Sequence, residues 1–227
     1  MMKSTSTQLE FRVNAILFDM DGVITDTMPY HYRAWEMAFK EITHHQITKE
    51  DVYLREGSKG CFALDEIFDQ HGWYRDPELL KKLVARKEQL FTQTIRLEFI
   101  AGALDFLALA QGQGFRLALV TGTSRAEALK MLPPEVQARF SIMITASDVT
   151  HGKPDPEPYL AALKKLAVHA NEAVVIENAP LGIQSAKAAG IRCLALETSL
   201  SREYLSAADG VFTSFADLTQ QIKFVLA

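Results

Sequence analysis

Five short apolar runs recur along the chain, and each ends in small or polar residues. Helix-like, charge-rich segments separate most of them. Strands of a parallel sheet are covered on both faces and therefore read as continuous apolar runs, with helices forming the crossovers between them. The pattern predicts an α/β fold with a Rossmann-like, doubly wound, mainly parallel sheet. The predicted strands are 15–18, 117–120, 142–145, 174–176 and 193–196.

A long helical interval separates the first two predicted strands. It spans about one hundred residues, far more than a simple crossover needs. We therefore predict a helical insertion over 28–97, forming a second small domain, and a sheet domain made of 11–27 and 98–227. Gly102, just after the insertion, is a candidate hinge. The helical pattern of the insertion recurs over 30–41, 63–71 and 77–94.

Capping and breaking residues support the predicted helices of the sheet domain. Ser124 and Glu127 have the spacing of a capping box after the second strand. A run of prolines precedes a helix predicted over 158–168. Pro180 suits the first turn of a further helix, which Gly190 would terminate.

Composition narrows the classes of function. The chain has 227 residues, 24 basic and 28 acidic, with a net charge of -4. This balance argues against nucleic acid or an anionic membrane as the main partner. The N-terminus lacks the apolar core of a signal peptide, and Cys61 and Cys193 lie in no disulfide or metal motif. We expect a cytoplasmic protein, a monomer or weak dimer, with reduced thiols.

Two carboxylates follow the first predicted strand. Asp19 and Asp21 lie two residues apart, so on an extended chain they point to the same side. They come at the carboxyl end of a strand, where open α/β sheets bind ligands. A cation or a proton would relieve their mutual repulsion. Taken alone, Asp-x-Asp-Gly is more often an ordinary turn.

A hydroxyl and a lysine follow later strands. Thr121, Gly122 and Thr123 end the second strand with a hydroxyl and loop N–H groups, which together could cradle phosphate oxygens. The simpler alternative is that Thr123 or Ser124 caps the next helix. Lys153 lies between Gly and Pro, where its ammonium could neutralise a phosphoryl group or could be a solvated loop cation.

An acidic residue and an amide end the strand predicted over 174–176. Glu177 and Asn178 both offer oxygen atoms, which Mg²⁺ prefers. The alternative is that Asn178 caps the next helix. All these groups occur together at strand ends, and this is harder to attribute to turns and caps than any one group alone.

The chain resembles the haloacid dehalogenase (HAD) superfamily, and within it β-phosphoglucomutase and the related sugar-phosphate phosphatases. Asp19-Met20-Asp21-Gly22-Val23-Ile24-Thr25-Asp26-Thr27 matches the first motif of the family. Thr121 matches the second motif, Lys153 the third, and Glu177-Asn178 the fourth. Tyr30-His31-x-x-Ala34-Trp35 is typical of the β-phosphoglucomutase branch, and the helical insertion matches its C1-type cap.

The resemblance implies the roles of the site residues. Asp19 would be the nucleophile that forms an aspartyl phosphate, and Asp21 the general acid and base. Thr121 and Lys153 would hold the phosphoryl oxygens, with Gly122 and Thr123 beside them. Dehalogenation is not expected, because true dehalogenases lack a carboxylate at Asp21. The substrate would further contact four residues of the insertion, namely His31, Trp35, Arg55 and Lys59.

The implied cofactor is Mg²⁺, held by Asp19, the Asp21 backbone carbonyl and the fourth motif. Family members usually carry Glu-Asp there, so Asn178 removes one negative charge and predicts weaker Mg²⁺ affinity. Glu177 could compensate. In the insertion, Glu56 and Gly60 align with the lysine and arginine that grip the distal phosphate in β-phosphoglucomutase.

The resulting expectation is a Mg²⁺-dependent phosphatase of a small phosphate ester, a sugar phosphate in particular. A β-phosphoglucomutase-like isomerase is the alternative. A non-catalytic HAD-fold binding protein is a third class, supported by Asn178 alone. A phosphonate hydrolase would need a Schiff-base lysine, for which Lys59 is a distant candidate.

Overall fold

The computed structural model describes residues 8–58 and 60–227, without the side chains of residues 60–62. Its centre is a six-stranded, all-parallel sheet with strand order β4-β3-β2-β5-β6-β7. A separate parallel pair, β1 and β8, joins the two ends of the described chain. The strands are β1 (Leu9–Arg12), β2 (Ala15–Phe18), β3 (Arg116–Val120), β4 (Ile142–Ile144), β5 (Ala173–Glu177), β6 (Arg192–Leu196), β7 (Gly210–Phe212) and β8 (Ile222–Val225).

Helices fall into two groups. Five of the described helices lie between β2 and β3 in sequence, and we call the segment that holds the first four, Met28–Thr94, the helical insertion. The others pack around the sheet, and we call the sheet with these helices the sheet core. The insertion contains α1 (Met28–Ile42), α2 (Lys49–Tyr53), α3 (Gly60–His71) and α4 (Pro77–Thr94). The sheet core contains α5 (Ala103–Gly112), α6 (Arg125–Met131), α7 (Pro134–Gln137), α8 (Glu157–Leu166), α9 (Pro180–Ala188) and α10 (Phe215–Gln221).

The prediction of an α/β fold with a parallel sheet is confirmed. All five apolar runs form strands of the main sheet, because each is covered on both faces. Along β2, Ala15 and Leu17 pack into one apolar cluster, while Ile16 and Phe18 pack into the cluster on the opposite face. All four are fully buried. Burial of this kind contributes roughly 1.5–3 kcal/mol per large apolar side chain.

Short or exposed elements were not predicted. β1 has one buried residue of four, Phe11, and β7 has three residues, so neither gives a clear apolar run. The five-residue α2 begins at a capping box between Thr48 and Asp51. The helix predicted over 158–168 runs over Glu157–Leu166, and Ala167 ends it with a left-handed backbone (φ 52°).

Predicted helix starts in the sheet core are confirmed. Ser124 accepts a hydrogen bond from the Glu127 N–H and so caps α6. The Glu127 carboxylate accepts one from the Ser124 hydroxyl. Pro180 is the first residue of α9, and Gly190 follows the helix with φ 75°.

The chain leaves and re-enters the sheet core along two paired segments. Thr25 forms an antiparallel bridge with Phe99. The Asp26 N–H donates to the Glu98 carbonyl at 2.9 Å, and the Ile100 N–H donates to the Ile24 carbonyl at 3.0 Å. The insertion is therefore attached through a short two-stranded ribbon.

Candidate active site

The carboxyl ends of three adjacent strands bring predicted site residues together. Asp19 follows β2, Thr121 follows β3, and Glu177 is the last residue of β5. Strand β2 lies between the other two, so the crossovers leave it in opposite directions and open a crevice at its end. All three side chains are buried. Parallel register alone thus places residues more than 100 positions apart in one site.

Lys153 lies between the carboxylates of Asp19 and Glu177 and contacts both. Its Nζ lies 2.6 Å from Asp19 Oδ1 and 2.6 Å from Glu177 Oε1. Burial lowers the pKa of Lys153, but the two carboxylates outweigh it and hold the pKa above its usual range. Burial raises the pKa of Asp19 to about 7, with Lys153 opposing the rise and Glu177 and Asp21 adding to it.

Glu177 is fully engaged by the protein. Besides Lys153, the Tyr159 hydroxyl donates to Oε1 at 2.9 Å. The N–H groups of Asn178 and Ala179 donate to Oε2 at 2.9 and 3.3 Å. This arrangement does not favour Glu177 as a metal ligand and gives it the role of positioning Lys153.

Asp21 is held by two hydroxyl donors, with His31 beside it. The Thr27 hydroxyl donates to Oδ1 at 2.5 Å and the Thr123 hydroxyl to Oδ2 at 3.1 Å. His31 Nε2 lies 3.5 Å from Oδ1, and the imidazole stacks on Phe91 with ring centroids 4.2 Å apart. Burial raises the pKa of Asp21, but His31 and the two hydroxyls outweigh it and keep the pKa below its ordinary value. Burial and Lys87 lower the pKa of His31.

The segment after β3 forms a compact loop. The Thr123 N–H donates to Thr121 Oγ1 at 3.0 Å, which leaves the Thr121 hydroxyl hydrogen able to donate to a ligand. Gly122 lies against the insertion: a Cβ atom there would be 3.1 Å from the Gly57 carbonyl oxygen. Thr123 does not cap α6, since Ser124 does.

Two buried oxygen atoms lack a partner in the described part of the chain. They are Asp19 Oδ2 and Asn178 Oδ1, on residues that are 4% and 0% exposed. Asn178 donates through Nδ2 to Ser199 Oγ at 3.0 Å, which directs its oxygen the other way. Unsatisfied buried oxygens are costly, and carboxylate and amide oxygens are the donors that Mg²⁺ prefers. The donor set therefore fits a hard divalent cation.

A cavity of about 170 Å³ separates the helical insertion from the sheet core. The predicted substrate residues His31, Trp35 and Arg55 line its insertion side, and Gly122 and Thr123 line its core side. Lys59 lies outside the described residues.

Arg55 lines the cavity but is bound within the insertion. Its NH2 donates to Gln70 at 2.8 Å, its NH1 donates to the Asp51 carbonyl at 3.0 Å, and its Nε lies 3.1 Å from Glu66 Oε2. The guanidinium therefore supports the loop rather than offering its donors to a ligand.

The residues of this fold and site agree with a known family. A family model described as haloacid dehalogenase-like hydrolase matches residues 16–196, which is most of the chain.

The chain belongs to the haloacid dehalogenase-like hydrolase family.

Two relatives in this family are named as phosphatases. A phosphorylated carbohydrates phosphatase of Thermotoga maritima is 31% identical over 79% of this chain and 82% of its own length. Hexitol phosphatase A of Escherichia coli is 28% identical over 92% of this chain and 94% of its own. The prediction of a phosphoryl-transfer enzyme of the HAD family is confirmed.

Solved structures agree with this assignment. A candidate β-phosphoglucomutase from Bacteroides vulgatus superposes with a TM-score of 0.80 and 34% identity, covering 93% of this chain and 88% of that one. CbbY from Rhodobacter sphaeroides, in complex with xylulose-(1,5)bisphosphate, superposes with a TM-score of 0.75 and 26% identity, covering 93% of this chain and 100% of that one.

Among the described residues, no helix is long and apolar enough to cross a bilayer.

Several residues of this HAD site were not assigned from the sequence. Thr27 lies within the first motif, so its place near Asp21 could have been suspected. Lys87 is 7% exposed, with Nζ 4.8 Å from the Phe91 ring centroid, yet it comes from a charge-rich run of α4 that reads as solvated. Tyr159 and Ser199 carry no local signal, since their partners lie 18 and 21 positions away.

Proposed function

We propose that the protein is a Mg²⁺-dependent phosphatase acting on a small phosphorylated metabolite, a sugar phosphate in particular, through an aspartyl phosphate. One observation carries the proposal. Lys153 binds Asp19, Thr123 binds Asp21, and Thr121 lines a small pocket with Lys153. In the described part of the chain, Asp19 Oδ2 and Asn178 Oδ1 lack partners. The names of its phosphatase relatives support the substrate class.

The two aspartates divide the chemistry. Asp19 attacks phosphorus with a carboxylate oxygen, and the bond to the leaving oxygen breaks as Asp21 protonates that oxygen. Water then attacks the aspartyl phosphate, Asp21 takes its proton, and inorganic phosphate leaves. Asp21 is ionised in the free protein, and the negative charge of a nearby phosphoryl group raises its pKa toward the acid form.

Other side chains hold the phosphoryl group and the aspartates. The Thr121 hydroxyl donates to a phosphoryl oxygen and the Lys153 ammonium offsets its charge. Thr27, Thr123 and His31 fix the orientation of the Asp21 carboxylate. Asp19 Oδ2 and Asn178 Oδ1 would hold Mg²⁺, with the Asp21 carbonyl that the family resemblance implies. When bound, this ion supplies positive charge to the transferring phosphoryl group.

The lining of the cavity favours hydrolysis over phosphosugar isomerisation. A mutase of this family must hold a second phosphate while the bisphosphate reorients. Arg55 is bound to residues of the insertion, and Lys87 pairs with Glu88 at 3.0 Å. Glu56 adds a carboxylate to the same wall. The described part of this wall thus offers a distal phosphate little free positive charge.

A panel of phosphorylated metabolites with Mg²⁺ tests the proposal. Both phosphate release and isomer formation are measured, and Asp19→Asn is the control because it retains the shape of the side chain. We expect phosphate release from sugar phosphates by the native protein alone. Isomer formation that depends on added bisphosphate would show a mutase instead. No activity above the Asp19→Asn control would favour a non-catalytic binding protein.

We propose that the helical insertion acts as the cap of the enzyme, with 28–97 moving relative to 11–27 and 98–227. The paired linkers at Thr25 and Phe99 support this division. Gly102 has φ 81° at the start of α5, a conformation that suits a glycine at the return to the sheet core.

A further inference from the structure

The cavity between the helical insertion and the sheet core reaches the proposed general acid. Two of its lining residues contact Asp21: the Thr123 hydroxyl donates to Oδ2 at 3.1 Å, and His31 Nε2 lies 3.5 Å from Oδ1. Gly122, which follows Thr121, lines the cavity as well. Because Asp21 protonates the leaving oxygen in the proposed mechanism, the rest of the leaving group extends into this cavity.

The positive charges that line the cavity are already engaged within the insertion. Among the described lining residues, Arg55 and Lys87 are the lysine and arginine side chains. Arg55 donates to Gln70 and lies 3.1 Å from Glu66 Oε2, and Lys87 pairs with Glu88 at 3.0 Å. A second anionic group of a ligand would find no free cation here, and a buried charge without a partner is costly.

The cavity suits a leaving group that is small and carries no positive charge. Its volume is about 170 Å³, below the roughly 300–1,000 Å³ of pockets that hold drug-sized ligands. Its aromatic lining residues, Trp35 and Phe91, already hold a cation, since Lys87 Nζ lies 5.7 and 4.8 Å from their ring centroids. A ligand cation beside these rings would be repelled by Lys87.

Glu56 carries a carboxylate that the described part of the protein leaves unbound. Four acidic residues line the cavity, namely Asp51, Glu56, Glu88 and Glu127. Three of these carboxylates are bound by neighbouring side chains. The carboxylate of Glu56 makes no hydrogen bond or ion pair with any residue that the structure describes. Glu56 is only partly buried, so a group in the cavity has access to it.

The loop that carries Glu56 rests on the sheet core. The Glu56 N–H donates to the Tyr53 carbonyl at 3.3 Å, at the end of α2. At the next residue, Gly57, the carbonyl oxygen would be 3.1 Å from a Cβ atom at Gly122, and a Cβ atom at Gly57 would be 2.9 Å from Lys153 Cδ. These contacts fix the loop against the segment that follows β3, so Glu56 keeps its place on the cavity wall.

Hydroxyl groups suit the Glu56 carboxyl group in both of its protonation states. Burial raises the pKa of Glu56 to about 8, with Asp21 and Asp19 adding to the rise and Lys87 and Lys153 opposing it. The ionised form accepts hydrogen bonds from hydroxyl groups, and the neutral form can also donate one. An uncharged, hydroxylated leaving group can therefore bind Glu56 near neutral pH without a change of charge.

We propose that Glu56 is a specificity-determining residue that forms hydrogen bonds with hydroxyl groups of the leaving group. The cavity then selects phosphate monoesters whose remaining part is small, uncharged and hydroxylated over those that carry a second anionic group. This inference rests on the proposed function, because it concerns the substrate of the same site.

Two six-carbon phosphate esters test the selection. Sorbitol 6-phosphate and 6-phosphogluconate share one open chain and differ at the far end, where the first has a hydroxymethyl group and the second a carboxylate. Calorimetry with the Asp19→Asn protein measures their affinities without turnover. We expect sorbitol 6-phosphate to bind at least about tenfold more tightly, because the carboxylate lacks a partner. The kcat/KM values of the native protein should show the same preference.

Variants at Glu56 test its part in this preference. Glu56→Leu is similar in size but forms no hydrogen bond, so the KM for sorbitol 6-phosphate should rise about five- to tenfold, which corresponds to one hydrogen bond. The kcat should change little, because the contact is present in the ground state and the transition state alike. Glu56→Gln retains hydrogen-bonding groups and should keep its KM within about twofold of the native value.

Glu56→Lys supplies the free cation that the cavity lacks. In the Asp19→Asn background, it should shift the ratio of the two affinities toward 6-phosphogluconate by about tenfold or more, the effect of a hydrogen bond between charged groups. Glu50→Lys is the matched control, since it makes the same change of charge at an exposed residue of α2 and should leave the ratio unchanged. Thermal unfolding reports whether each variant folds, and Glu56→Lys carries the test if Glu56→Leu does not.

The outcomes separate this inference from the proposed function. Equal affinities for the two esters, failure of both to bind, or a folded Glu56→Leu protein with the native KM would overturn the inference. The proposed function would still stand if the metabolite panel released phosphate. If the two esters bind with the expected preference but the native protein releases no phosphate from any ester, the proposed function fails and the selectivity of the cavity stands.

Discussion

Lys153 holds the most consequential charge of the site, because it lies between two buried carboxylates at 2.6 Å from each. A buried ion pair gains little over apolar packing, but removing one partner leaves uncompensated charge. Here the removal would leave Asp19 and Glu177 facing each other. The lysine is therefore expected to matter both for the reaction and for the folded state.

Lys153→Met should abolish turnover and lower the free energy of unfolding by about 3–5 kcal/mol. Activity assays and urea denaturation measure the two effects. Lys164→Met is the control, since that side chain on α8 is exposed and its loss should change stability by less than about 0.5 kcal/mol. A Lys153→Met protein as stable as the control would contradict the assigned charge balance.

Ser199 determines which atom of Asn178 is left to face the proposed Mg²⁺ site. The amide Nδ2 donates to Ser199 Oγ, so Oδ1 is left for the cation. In Ser199→Ala, the Asn178 amide can turn over without losing this hydrogen bond, so Nδ2 can replace Oδ1. Mg²⁺ binding should therefore weaken about two- to tenfold, which corresponds to the free energy of one hydrogen bond. Calorimetric titration measures it, with the exposed Ser206→Ala as control. In the Asn178→Asp background, where both atoms are oxygens, Ser199→Ala should matter less; an equal loss there would argue against the orientation role.

At the scale of elements, helix α9 sets the position of Glu177. Its third residue, Gly182, packs against that carboxylate so closely that a Cβ atom would be 1.7 Å from Glu177 Oε1. The helix can approach β5 to this distance because the residue lacks a side chain. Glycine is thus required here for close packing rather than for an unusual φ.

Gly182→Ala should displace Glu177 from Lys153, reduce activity strongly and cost about 1–3 kcal/mol in overpacking. Gly112→Ala is the matched control, since nothing lies within 4 Å of the added atom. That change at the last residue of α5 should stabilise the protein by up to about 1 kcal/mol through helix propensity. Thermal unfolding separates the two, and equal melting temperatures would contradict the close packing.

Strand β4 is attached to α6 through Asp148. Its carboxylate accepts from the Thr145 N–H and hydroxyl at 2.9 and 2.6 Å and from Arg125 at 2.8 Å. Burial opposes ionisation, but these donors outweigh it and hold the pKa of Asp148 well below its usual range. Because the folded pKa is depressed, the ionised carboxylate stabilises the fold above its unfolded pKa and loses that effect as pH falls toward the folded pKa.

Asp148→Asn should therefore lower the free energy of unfolding at neutral pH by about 1.5–3 kcal/mol. The difference from the native protein should shrink as pH falls below about 4. Chemical denaturation across pH 7 to 2 measures both. Asp105→Asn, on the exposed face of α5, is the control and should show a much smaller effect. A difference that does not change with pH would show that packing, not charge, is responsible.

The elements that the sequence predicts well are those whose burial is set locally. The strand ending at Phe18 is apolar throughout, and the strand ending at Val120 is apolar after its first residue, Arg116, because both faces of each strand are covered. The pair β1 and β8 is not predicted, because β1 is mostly exposed and gives no apolar run. Within the site, Asp19 and Lys153 stand in recognisable motifs, whereas the burial of Lys87 and the place of Glu56 depend on how the insertion packs against the core.

At the scale of the whole molecule, the site is built from two parts of the chain that touch across one cavity. Asp19, Thr121 and Lys153 come from the sheet core, while His31 and Glu56 come from the helical insertion. The sheet positions the reacting groups through strand register. The insertion lines the cavity beside them.

Mg²⁺ binding should stabilise the folded protein as a whole, because the unfolded chain does not assemble the site. At a Mg²⁺ concentration about 100 times its Kd, the gain is about 2.7 kcal/mol. For a chain of this length, that raises the melting temperature by about 5–10 °C. Scanning calorimetry with Mg²⁺ and with EDTA measures the rise. The Asp19→Asn protein should show a clearly smaller rise, and an equal one would place the ion elsewhere.

The ribbon between Thr25 and Phe99 has an implication for how such enzymes diversify. Because the chain departs and returns at adjacent points, the segment between them can be exchanged for another without altering the connectivity of the sheet. The sheet core retains its reacting groups through such an exchange, and the new segment brings its own lining. Substrate preference can therefore change with the inserted segment, while the phosphoryl-transfer groups of the sheet core stay the same.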